Sequence, residues 1–135
     1  MDISSLIGTV IGIITYFQAR NISKELKKQK MKMGFKSQLS SLKSKLNFNI
    51  QIISSHETNY RTITDTYETL TIIYQFATNC KWEKKDVSLI KTCTQYVKSL
   101  SENYNNDSVD NHIDNRIVTN LLEIKSILLK EEKLL

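Results

Sequence analysis

Two histidines and two cysteines are the side chains of this chain best suited to metal, acid–base or thiol chemistry, and their neighbours decide what they can do. Asp110, His112 and Asp114 form a D-x-H-x-D run, which offers ligand types that a metal ion accepts. Alternate positions on a helix point about 200° apart, so only an extended loop would bring the three together. The run overlaps a polar stretch, residues 103–111, whose Asn and Asp side chains compete for backbone hydrogen bonds. A capping cluster is the expected role, and no metal is expected there. His56 beside Glu57 has the chemistry of a general base, but no G-x-S-x-G elbow or similar nucleophile accompanies it. The basic-then-histidine spacing of helical ribonuclease toxins is also missing, since neither Arg61 nor Arg116 is followed four to six residues later by histidine. Walker A, GxGxxG and EF-hand patterns are absent from the sequence. Cys80 and Cys93 lack a CxxC or histidine-spaced partner and read as reduced packing residues. The expectation is a protein without catalysis and without a cofactor.

The charge is more informative once mapped. Of the formal net charge of +5, residues 20–36 carry +6, from Arg20, Lys24, Lys27, Lys28, Lys30, Lys32 and Lys36 against Glu25 alone. From residue 37 to the end, twelve basic and twelve acidic side chains cancel. A neutral body weakens any nucleic-acid reading, so no nucleic-acid partner is expected. A basic block directly after an apolar run is instead the pattern of a membrane surface.

That apolar run, residues 3–17, holds no charge, and Gln18 with Ala19 extends the uncharged stretch to seventeen residues. At about 1.5 Å per residue it reaches roughly 25 Å, against a hydrocarbon core of about 30 Å. Tyr16 and Phe17 stand where an interfacial aromatic belongs, just before the basic block. These features predict a membrane-inserted helix over residues 1–19, a basic juxtamembrane helix over 20–36 and a cytosolic helical domain over 37–135. The protein would then be single-pass, with its N-terminus outside and its C-terminal domain cytoplasmic. Ser5, Gly8, Gly12, Thr15 and Ala19 follow 3-4-3-4 spacing and contain a GxxxG, a stripe of small residues that lets helices approach closely in lipid. The stripe continues in phase through Ile22, Leu26, Gln29 and Met33.

From Phe35 a new seam begins, running through Leu39, Leu42, Leu46, Asn49, Ile53, His56, Tyr60, Ile63, Tyr67, Leu70 and Tyr74 to Ala77 in steps of three or four. Asn49 and His56 are its polar members; such residues cost stability at a seam but fix register and oligomer state. Residues 54–59 have weak helix propensity, yet no Gly or Pro demands a turn. One long coiled-coil-like helix is therefore preferred over a helical hairpin. Pro is absent and Gly occurs three times, which argues against strand-rich folds. Asp86 is a candidate N-cap for a helix carrying Ile90, Cys93, Val97 and Leu100, and a last helix reaches about Lys133 with Ile113, Ile117, Leu121, Ile124 and Leu128 on one face.

The sequence thus predicts an all-α protein: one N-terminal membrane-anchoring helix, then a cytosolic helical bundle or coiled-coil-like domain. Its expected function is association, as a homo-oligomeric anchor, scaffold or small membrane effector with a possible protein partner. Small membrane proteins of bacterial immunity and phage systems share that build as a class, though no motif here identifies a family. The alternative is a soluble adaptor whose apolar first helix docks into a partner or into its own core.

Overall fold

A computed structural model describes residues 3–56, 58–104, 113 and 115–135, with side chains from residue 7 onward. Among these residues the fold is all-helical, with α1 (Ile3–Ser54), α2 (Tyr60–Asn79), α3 (Lys84–Asn103) and α4 (Arg116–Lys133). Each helix packs against two neighbours, in the order α1, α2, α3, α4 and back to α1, while the diagonal pairs stay apart. This is the square arrangement of a four-helix bundle with alternating helix directions.

The core is built from the 3-4 spacing of each element. Phe35, Leu39, Leu42, Leu46, Ile50 and Ile53 of α1 meet Ile63, Leu70, Ile73 and Ala77 of α2, Ile90, Cys93 and Val97 of α3, and Ile117, Leu121, Ile124 and Leu128 of α4. Burying each such Leu or Ile contributes about 1.5–3 kcal/mol. Trp82, in the α2–α3 connection, closes the base of the bundle against the Phe35 ring, 5.2 Å between centroids, and Phe76 packs on Phe35 at 5.3 Å. The many Thr residues of α2 would suit a strand, but the helix buries one face and their hydroxyls find acceptors in the preceding turn. Buried Thr66 donates to the Thr62 carbonyl at 2.7 Å and Thr69 to the Asp65 carbonyl at 2.9 Å.

The seam from Phe35 does not run as one helix. It folds back at residues 55–59 into a hairpin, and a non-glycine residue makes the turn. His56 sits exposed at φ 61°, the left-handed conformation that usually ends a helix at Gly. Asn59 then caps α2, its side-chain oxygen accepting from the Thr62 amide at 2.9 Å. The second tight connection uses the same device. Lys81 adopts φ 55°, its amide bonds the Thr78 carbonyl, and the Trp82 amide reaches back to the Ala77 carbonyl at 3.0 Å, a Schellman closure. The N-cap of α3 is Glu83, not Asp86. Asp86 lies inside the first turn, where its buried carboxylate accepts a 2.5 Å hydrogen bond from the Lys130 ammonium and ties α3 to α4.

The membrane anchor is overturned. Among the described residues no helix is long and apolar enough to cross a membrane. Helix α1 has the length, with 52 residues, but its apolar stretch is short, diluted by Gly, Ser and Thr, and runs into Arg20 and the lysines beyond it. The expected single-pass topology, with the N-terminus outside and the remainder cytoplasmic, falls with it. In its place stands one uninterrupted helix that passes through residues 19/20 and 36/37 and leaves the bundle below Phe35.

Candidate functional site

The part of α1 beyond the bundle is an arm. Residues 7–30 are exposed along their whole length, and residues 3–30 would span about 42 Å at 1.5 Å per residue. Its large apolar side chains are half-exposed on all sides of the helix: Ile7 54%, Val10 48%, Ile11 58%, Ile13 51%, Ile14 50%, Tyr16 64% and Phe17 55%. Some of them share one line. Steps of four and three down α1 from Phe35 pass through Met31, Lys28, Lys24, Asn21, Phe17, Ile14 and Val10 to Ile7. A helix keeps such positions on one side, with a drift of about 20° per heptad. One line of the arm's apolar side chains therefore continues the bundle's core face, interrupted by the two lysines and Asn21. The side is marked by a cleft of about 550 Å³ at the root of the arm, where Lys24, Lys28 and Met31 stand across from Thr78, Asn79 and Lys81 at the end of α2.

The small-residue stripe lies elsewhere on the arm. Gly8 and Gly12 have no atom within 4 Å of a would-be Cβ, Thr15 bonds the Ile11 carbonyl at 2.9 Å, and Ala19 is exposed. The side chain of Ser5 falls outside the described residues. Within one chain, then, nothing covers the described part of the stripe. Arg20, Lys24, Lys27, Lys28, Lys30, Lys32 and Lys36 are all exposed and surround the helix instead of forming one patch. The arm does not enter the core of its own bundle.

Of the two polar seam residues, Asn49 is placed on the core face, 1% exposed, with no hydrogen-bond partner for its Nδ2. His56 leaves the seam for the turn. Asp110, His112 and Asp114 lie outside the described residues, and no group of three metal-binding side chains occurs among those described. Cys80 and Cys93 are free thiols. Burial pushes Cys93 up to about 11. Cys80 is also raised by burial, with Lys32 opposing and Glu131 adding. The two thiols are thus held in the unreactive protonated form.

Two features escaped the sequence reading. The pairing of Asp86 with Lys130 joins residues far apart in the chain and has no local signal. The apolar line of the arm does have one: extending the Phe35 spacing backwards instead of restarting it there reaches Phe17, Ile14, Val10 and Ile7. Comparison of the chain with protein-family models, with curated proteins and with solved structures finds no match.

Proposed function

We propose that this protein is a non-catalytic association module, a closed four-helix body that presents the α1 arm for docking against another protein surface. The observation that carries the reading is the division of labour along α1. Among the described residues every buried core side chain lies at or after Phe35, while the large apolar side chains from Ile7 to Phe17 are left uncovered. The arm's composition supports it further. Each of residues 7–15, IGTVIGIIT, is β-branched or glycine. Relative to alanine these nine residues disfavour a helix by roughly 5 kcal/mol in total. Helices in proteins draw most of their stability from packing an apolar face and little from propensity. A helix here is sustained by whatever covers that face.

The test places a photo-crosslinking amino acid at position 10 of the full chain in cells, with the exposed α3 position 92 as control. The expected result is a discrete protein adduct from position 10 and none from position 92. Equal labelling from both, or no protein adduct from position 10, rejects the reading.

A further inference from the structure

We infer that the cleft at the root of the arm binds a compact anion carrying several phosphoryl groups, held by Lys24, Lys27 and Lys28 of α1 and by Lys81 of the α2–α3 connection. The site is separate from the apolar surface of the arm and stands independently of the association reading.

The cleft, about 550 Å³, lies between two elements that only folding brings together. Lys27 and Lys28 follow Lys24 by three and four residues on α1, a spacing that sets Cβ atoms about 5–6 Å apart on one side of a helix. Like charges at this spacing oppose the helix that carries them. Lys81 joins them from the other wall. Four ammonium groups thus line one space against the single carboxylate of Glu25, a local balance of +3. Among the described residues none of the four pairs with a carboxylate, whereas Lys43, Lys85 and Lys130 of the bundle do. Walls of one sign focus their field on the space between them, and a bound anion relieves their repulsion.

Lys81 supplies the second observation. It holds a left-handed turn at φ 55°, a conformation that favours glycine. Glycine closes such a turn without strain, so the turn does not call for a lysine; what the side chain adds is a cation opposite the α1 row. The same turn quiets the end of α2, where free carbonyls would repel an anion. The Phe76 carbonyl accepts from the Cys80 amide at 2.8 Å, that of Ala77 from the Trp82 amide at 3.0 Å and that of Thr78 from the Lys81 amide at 3.3 Å.

Residue type and reach set the ligand class. The cations lining the cleft are all lysines, point charges that bind phosphate without imposing a bidentate geometry. A single exposed ion pair is weak in water, so a small anion must carry several charges to be held. The α1 row is about 6 Å long at 1.5 Å per residue. Nucleic-acid surfaces engage on the order of 6–10 phosphates along a strand, a track that this cleft does not offer. Clustered phosphoryl groups of the right size occur on soluble oligophosphates and on phosphorylated lipid headgroups.

The experiment titrates the full chain with inorganic triphosphate by calorimetry. The expected result is saturable binding that falls as salt rises. Loss of one cation, in Lys24→Gln or Lys81→Gly, should weaken it about three- to fivefold, and Lys28→Glu at least tenfold. Lys98→Glu, the same change of net charge on the exposed side of α3, should leave it unchanged. Unchanged helical content and an undiminished denaturation midpoint in Lys81→Gly separate lost binding from lost folding. No saturable binding at low salt, or equal losses in Lys28→Glu and Lys98→Glu, overturns the site. Flotation with phosphatidylcholine vesicles carrying a bisphosphorylated inositol lipid then distinguishes the sources. Flotation abolished by free triphosphate assigns the headgroup, and triphosphate binding without flotation assigns a soluble ligand.

Discussion

Asn49 shows how one side chain can oppose the fold it sits in. Its amide is 1% exposed on the core face, and its Nδ2 makes no hydrogen bond. A buried polar group left unpaired costs about 1–3 kcal/mol. Leucine has the same branched outline without the polar atoms, so Asn49→Leu is expected to stabilise the protein by about 1–3 kcal/mol in urea unfolding. A loss of stability would show that the amide finds a partner in solution. The spacing already placed Asn49 at a seam position. That its Nδ2 has no answering group there depends on the other three helices and was not legible from neighbours in sequence.

At the scale of elements, the lesson lies in how the helices stop. The stretch at residues 54–59 offered no Gly or Pro, and one long helix was the natural expectation. The chain turns all the same, because His56 and Lys81 adopt the left-handed conformation themselves, at φ 61° and 55°. For a residue with a Cβ this costs about 1–2 kcal/mol, a cost offset by the packing that the hairpins allow. Glycine avoids the clash but loses more freedom on folding. Lys81→Gly is therefore expected to stabilise by about 0.5–1 kcal/mol, read as a higher denaturation midpoint at unchanged slope. A lower midpoint would mean that the lysine side chain contributes more at the base of α2 than its backbone strain removes. The arm follows the opposite logic: α2 keeps its Thr-rich sequence helical by burying one face, whereas residues 7–15 have no such cover within the chain.

At the scale of the whole molecule, the base of the bundle gathers residues of α1, the α2–α3 connection and α4. Glu131 stands with Lys32, Phe35, Cys80 and Trp82 around a small cavity of about 140 Å³. Burial raises its carboxyl above the ordinary value of 4.5; Lys130 opposes, and Asp86 and Glu83 add to the rise. The folded state thus holds this proton more tightly than the unfolded chain. The stability it contributes is complete below the unfolded value and is lost as pH rises through the raised folded value. Glu131→Gln, neutral at every pH, is expected to gain thermal stability relative to the parent as pH climbs from 4 to 7. A melting-temperature difference that stays flat across that range would remove Glu131 from the account.

The amino-acid sequence by itself determined the helical class, the core face of each helix and the separation of a basic block from a neutral body. Those properties follow from spacing and composition, which are local. Ile63, Leu70 and Ala77 were legible as core for that reason, as were Leu121 and Ile124. Only the tertiary structure decided that the Phe35 seam closes on itself as a hairpin, that Asp86 pairs with Lys130, and that the first helix stands out from the bundle as an arm. Each of these turns on which surfaces meet. The apolar run of α1 has one composition whether it enters lipid, its own core or another chain. Its exposure in line with the bundle's core face came from the way residues beyond Phe35 pack together and leave it outside.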